Sequence, residues 1–268
     1  MDQKNFVKLK LKDSLKKFLP KTVINYLRKI QNFFYVYRKF DYNKAQHYEL
    51  EGQIYFLENN KGVVNNYFEV FEESKRNNRF DDHGLIDFFG SEEKWQKFCL
   101  DIRDSEKICL EIGSGPMGII ARWFWAKNKI LIEPLLNEYK ETSLKIFGKT
   151  FLTDDIKLYS QKAEIFIKDL DNKIDGCIVS TNALDHSEDP LKILQNISKY
   201  AKKGCRFIFW STLYYPYGYN EGHRNIVKTK EEFEKILENL GFIIEAVVPR
   251  GLLPNDGNLI YGCVAVKA

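Results

Sequence analysis

Long hydrophobic runs are missing from this 268-residue chain, and so are cysteines at any regular spacing. No apolar stretch approaches the roughly 20 residues that a helix needs to cross a bilayer. The first residues lack the apolar core of a signal peptide. The five cysteines, at 99, 109, 177, 205 and 263, form neither the paired C-x-x-C spacing of a zinc site nor a disulfide framework. Cys109, Cys177 and Cys205 fall in apolar runs, where a free thiol packs as a small hydrophobe. A reducing, cytoplasmic setting is expected. The four histidines follow no repeated metal spacing, so no metal site is expected, and no internal repeat is present.

Acidic residues are scarce in one place only. Residues 1–40 carry eleven Lys or Arg against two Asp, a local charge of +9 within a chain of net +4, which leaves −5 on the other 228 residues. Phe6, Leu9, Leu11, Leu15, Phe18 and Leu19 alternate with lysines up to Pro20, and Val23, Ile24, Leu27, Ile30, Phe34 and Tyr37 recur at helical spacing. This basic amphipathic leader is either a helix packed on the rest of the chain or one that lies on an anionic membrane surface, where apolar burial and lysine attraction add. Nucleic acid is not the expected partner, because the lysines surround no recognition motif.

The chain is organised around Lys107-Ile-Cys-Leu-Glu-Ile-Gly113-Ser-Gly115-Pro-Met-Gly118. A short apolar run ending in glycines reads as a buried parallel strand and a tight turn, and a helix over 117–127 is expected next. Gly113, Gly115 and Gly118 satisfy G-x-G-x-x-G, and Glu133 lies twenty residues after the first, as a dinucleotide site would have it. Glu111 argues otherwise. A carboxylate near the strand end, able to reach the mouth of the pocket, is awkward beside a pyrophosphate and suits a positively charged ligand.

Strand and helix then alternate: strand 129–133, helix 136–147, strands 156–160 and 174–180, helix 189–201, strand 205–211 and helix 230–240. Such alternation predicts a parallel sheet flanked by helices. Phe242–Val248 and Leu259–Val266 are two more strands, and the turn-rich Pro254-Asn-Asp-Gly257 between them favours an antiparallel return. Upstream, the aromatic-rich region 41–103 contains helices around 64–75 and 91–102.

Leu110-Glu111-Ile112-Gly113-Ser114-Gly115-Pro116 resembles the first motif of class I methyltransferases. Asn182-Ala-Leu-Asp185-His186-Ser-Glu-Asp189-Pro190 resembles the N-x-L-[DE]-H-x-x-D-P stretch of their small-molecule branch. The resemblance implies an α/β, Rossmann-like domain over 104–268 with a seven-stranded, mostly parallel sheet and an antiparallel C-terminal strand. Residues 41–103 would form a helical cap over the active site, and 1–40 a leader. It implies S-adenosylmethionine as cofactor, held by Glu111, Gly113, Ser114 and Gly115, with Glu133 on the ribose and Pro134 beside the adenine. Gln161-Lys-Ala163-Glu164 resembles the adenine-contacting segment, and Thr181 and Asn182 reach the same crevice. Asp189 reads as a helix cap, with Pro190 at the first helical position.

A hydroxyl acceptor would need a proton acceptor, for which His223, His186 and Asp185 are the candidates. Tyr214, Tyr215 and Arg224, in the long aromatic loop after strand five, and His83 are candidate substrate contacts. Leu15-Lys-Lys-Phe-Leu-Pro-Lys and Leu27-Arg-Lys-Ile30 resemble leaders of bacterial methyltransferases of surface-glycan biosynthesis, which suggests a sugar or glycan-precursor acceptor. An RNA methyltransferase is the rival enzyme, without the Asn/Asp-Pro-Pro-Tyr motif of base-amine chemistry. A non-catalytic binding module is the rival outside the enzymes.

Overall fold

The computed structural model describes residues 41–80, 84–215, 223–248 and 258–268. The leader 1–40, His83 and the connection 249–257 lie outside the described residues. Seven strands form one sheet in the order β3-β2-β1-β4-β5-β7-β6. They are β1 (Ile108–Ile112), β2 (Asn128–Ile132), β3 (Lys157–Tyr159), β4 (Cys177–Thr181), β5 (Arg206–Tyr214), β6 (Phe242–Val248) and β7 (Leu259–Lys267). The first five pair in parallel, and β7 runs antiparallel to both β5 and β6. This is the sheet expected from the sequence.

Parallel strands are buried on both faces and so read as continuous apolar runs. Successive side chains of β1 go to opposite sides. Leu110 and Ile112 join one core with Ile193, Leu194 and Ile197 of α6 (Pro190–Tyr200) and Phe233 and Leu237 of α7 (Lys230–Asn239). Cys109 joins the other, with Cys177, Val179 and Ile208, under Trp95, Phe98 and Ile102 of α4 (Glu92–Asp104) and under Trp123 and Trp125. All five cysteines are buried free thiols.

The helix expected over 117–127 does not form. Gly118, inside that span, adopts a positive φ of 48°, which an α-helix cannot contain, and Gly113 and Gly115 before it do likewise at 74° and 59°. Only a 3-10 turn, Ile120–Arg122, follows, and the chain then folds back so that Trp123 and Trp125 stack at 4.7 Å.

The described chain opens with two helices: α1 (Tyr42–Asn59), which the apolar pattern had not revealed, and α2 (Lys61–Arg76). Asp41 caps α1 by accepting from the amide of Lys44. Leu57 of α1 and Val64 and Phe68 of α2 pack with Leu136 and Tyr139 of α5 (Leu136–Phe147). A short α3 (Ile86–Phe89) leads into α4.

Candidate active site

The strand order reverses between β1 and β4, and a crevice at such a switch point is the usual ligand site of an open α/β sheet. A cavity of about 230 Å³ lies there. Its floor is the glycine turn, with Gly113, Ser114 and Gly115, and the ends of β2 and β4, with Glu133, Pro134, Thr181 and Asn182. Ala163, Glu164 and His186 also line it. These ten residues are the part of the sequence-derived site that the fold gathers at one place.

Glu111 is not part of the wall. It shares the sheet face of Cys109, points under the segment 118–122 and is 1 % exposed. Its two carboxylate oxygens accept the amides of Ile119 and Ile120, both at 2.8 Å. The expectation that it reaches the pocket mouth is corrected by the two-residue period of the strand. The amides of Gly113, Gly115, Gly118, Ile119 and Ile120 all bond to protein oxygens, so these five are already taken and are not offered to an anion.

Glu133 holds the opposite wall. Its carboxylate accepts the amide of Gly115 at 3.3 Å and of Leu135 at 3.1 Å, tying the end of β2 to the glycine turn. Burial pushes the carboxyls of Glu111 and Glu133 up to about 7 against their amide donors. Both therefore keep protons that the unfolded chain releases from 4.5 upward. The stability this contributes is full at low pH and is lost as pH rises through about 7. The thermal midpoint of the ligand-free protein should fall between about pH 5 and about pH 8, and Glu133→Gln and Glu111→Gln should each flatten that slope.

The far end of the pocket is built by buried polar anchoring. Asn196 of α6 is fully buried and donates to the carbonyls of Ala163 (2.9 Å) and Glu164 (3.0 Å). Glu164 accepts the amides of Glu188 (2.8 Å) and Asp189 (3.3 Å), and Asp189 caps α6 through the amide of Lys192. Across the opening, α1 supplies Tyr42, Gln46, Glu49 and Gln53, a run at helical spacing that sequence reasoning missed. The Lys162 ammonium sits 3.6 Å from the centroid of the Tyr42 ring and 2.9 Å from Glu188.

Next to the pocket, and not in it, lies a bonded cluster. Asp185, fully buried, accepts from Ser211 Oγ (2.9 Å) through one oxygen and from Tyr215 OH (2.5 Å) and His223 Nδ1 (2.9 Å) through the other. Burial would raise the Asp185 carboxyl, yet the His223 hydrogen bond, the two imidazoles and Tyr215 outweigh it and hold the group below its ordinary value. The ionised acid fixes His223 with its Nδ1 proton toward Asp185, leaving Nε2 as the acceptor atom. The His223 ring packs against that of His186 in a tilted arrangement, with centroids 4.1 Å apart and the planes at 54°, so His186 is the ring between the cavity and the dyad. Asp185, His186 and His223 bring one donor atom each within 4.8 Å of one another. Both oxygens of Asp185 are already bonded within the cluster.

Of the remaining candidates, Tyr215 belongs to this cluster. Arg224 anchors the loop, its amide donating to the Asp185 carbonyl at 2.7 Å and its guanidinium to the Glu188 carbonyl. Tyr214 ends β5 opposite Leu259 and does not line the cavity. His83 lies outside the described residues.

No protein-family model and no curated protein matches the sequence. Solved structures do resemble the fold. A candidate sarcosine dimethylglycine methyltransferase from Galdieria sulphuraria matches over 66 % of this chain and 82 % of its own, with 13 % identity and a TM-score of 0.51. The trans-methyltransferase CalH, solved with S-adenosylhomocysteine, matches over 64 % of this chain and 55 % of its own, a little over half its length, with 15 % identity and a TM-score of 0.47. A variant of the 16S rRNA (adenine(1408)-N(1))-methyltransferase from Catenulisporales acidiphilia matches over 66 % and 91 %, with 15 % identity and a TM-score of 0.44. Likeness at this level concerns the fold, which is that of class I methyltransferases.

Proposed function

We propose that this chain is an S-adenosylmethionine-dependent methyltransferase acting on a hydroxyl of a small molecule, a sugar or glycan precursor being the favoured class. The observation that carries the reading is the pairing of two features at one crevice: the Glu133–Gly115 clasp at the switch point, and the Asp185–His223 dyad one ring beyond it.

The residues fit the cofactor. Glu133 offers its carboxylate to ribose hydroxyls from the end of β2, Ala163 and Pro134 border the purine, and Ser114, Thr181 and Asn182 complete the wall. The cofactor supplies a methyl group on a sulfonium, an electrophile that needs no activation by the protein. The protein orients the acceptor and removes its proton. His223 Nε2 takes the hydroxyl proton, and the buried Asp185 carboxylate stabilises the imidazolium that results. Tyr215 and Ser211 keep that carboxylate in place. A neutral hydroxyl requires such a base, and this is why the dyad favours oxygen as the methylated atom.

An RNA acceptor has less support. The charged residues of the cavity wall are Glu49, Glu133 and Glu164 against Lys162, and the chain outside the leader is net negative. Mass spectrometry of cell extracts incubated with the enzyme and isotope-labelled S-adenosylmethionine would identify the acceptor. Label only in RNA would overturn the small-molecule reading, and no label anywhere would favour the binding module.

We also propose that residues 1–40 bring the enzyme to an anionic membrane from the cytoplasmic side. No helix among the described residues is long and apolar enough to cross one. Deleting residues 1–20 should leave catalysis on a soluble acceptor largely intact and reduce co-sedimentation with anionic liposomes at low salt. Full-length protein that fails to sediment would show the leader to be a packed helix.

A further inference from the structure

The carboxylates of the cavity differ in what occupies them. Glu133 and Glu164 each accept two backbone amides, and Lys162 is engaged by Glu188 and the Tyr42 ring. Glu49 accepts no backbone amide among the described residues. One of its oxygens takes the Gln53 side-chain amide at 2.8 Å, and the other lies 3.5 Å from His186 Nδ1. It stands close enough to Glu133 to add to the rise that burial gives that carboxyl. Glu49 thus lines the cavity within reach of both Glu133 and His186. One helical turn earlier, Gln46 lines the same cavity, and its Oε1 is buried with no hydrogen-bond partner among the described residues. A buried carbonyl without a partner costs free energy, and beside a carboxylate that no backbone amide holds it suits a ligand that brings positive charge and N–H donors.

We propose that Glu49, with Gln46 beside it, recognises the positive charge of the bound cofactor, in the place that the sequence had assigned to Glu111. The inference rests on the cofactor reading above. It makes α1 a ligand-binding wall: the helix and the sheet meet across the pocket through the ligand's charge.

Calorimetry on the full chain with three ligands tests it. S-adenosylmethionine carries an ammonium and a sulfonium, S-adenosylhomocysteine the ammonium alone, and 5′-methylthioadenosine neither. Glu49→Gln keeps the shape and the bond to Gln53 while removing the charge. It should weaken the charged ligands by about 10–100-fold, the range of a lost charge-assisted hydrogen bond, and leave 5′-methylthioadenosine unchanged. Equal losses for the first two place the ammonium at Glu49, whereas a loss confined to S-adenosylmethionine places the sulfonium there. The exposed Glu51→Gln on the same helix should alter none of the three. Unchanged affinities in Glu49→Gln, or equal weakening of all three ligands, would overturn the assignment while leaving the cofactor reading intact. Wild-type protein that binds none of the three would overturn the cofactor reading and this inference together.

Discussion

Replacing His223 by Ala is expected to slow turnover by about 10²–10⁴-fold while S-adenosylmethionine affinity stays at its wild-type value. The separation follows from geometry. His223 is absent from the cavity wall and is bonded through Nδ1 to Asp185, so its removal takes nothing from the cofactor and leaves the acceptor's proton without a base. His186→Ala should behave differently. That ring lines the cavity, lies 3.5 Å from Glu49 and supports the His223 ring, so cofactor affinity and turnover should fall together. Wild-type turnover should decline on the acid side, because a protonated imidazole cannot accept the proton. Measurement needs only the labelled-acceptor assay and calorimetry. A flat profile between about pH 6 and about pH 9, with both variants at wild-type turnover, would remove histidine from the mechanism. Chelation tests the other use of the same atoms: loss of activity with EDTA, restored by a divalent ion, would make the cluster a metal site instead of a base.

The parts of this site that were legible in the sequence are those held by local rules. Helix α5 runs over 136–147 as its pattern indicates, and Gly148 ends it at φ 68°. Asp189 and Pro190 start α6 in the manner their types require. Glu133 could be placed because it is the first residue past the end of buried β2, where the chain leaves the sheet at the crevice. Non-local features were not legible. The bond between Asp185 and His223 joins residues 38 apart, and only the approach of the loop after β5 to the end of β4 creates it. Helix α1 escaped detection because both its faces are used. Leu50, Phe56 and Leu57 pack against α5 and its neighbours while Gln46, Glu49 and Gln53 face the cavity, so no single apolar stripe marks it. The misplacement of Glu111 had a remedy in the sequence. Leu110 and Ile112 share one face of β1, and an acid between them must lie on the other.

Gly113→Val should abolish cofactor binding and destabilise the fold by more than a typical core substitution, and the cause is the chain itself rather than the ligand. A Cβ built on Gly113 would lie 2.1 Å from the Cβ of Ala183, a separation that real side chains do not adopt. Ala183 cannot retreat easily. It follows Asn182, held at φ 53° with its amide bonded to the Trp210 carbonyl at 2.6 Å, and it leads directly into the turn that carries Asp185 and His186. Gly113 is equally fixed, its amide donating to the Ile132 carbonyl at 3.0 Å while its φ of 74° already disfavours any L side chain by about 1–2 kcal/mol. Beyond the ladder that pairs β1 with β4, the close approach of these two small residues lets the end of β1 lie against the loop after β4, and with it the cofactor wall against the dyad. The smaller change Gly113→Ala introduces the same Cβ without the branch. Ala183→Gly in the same chain removes the overlap but not the backbone strain, so the double variant should recover part of the lost denaturation free energy and remain about 1–2 kcal/mol below Ala183→Gly alone. Additive effects in that cycle would mean that the two residues do not touch, and the coupling between cofactor wall and dyad would have to run through another contact.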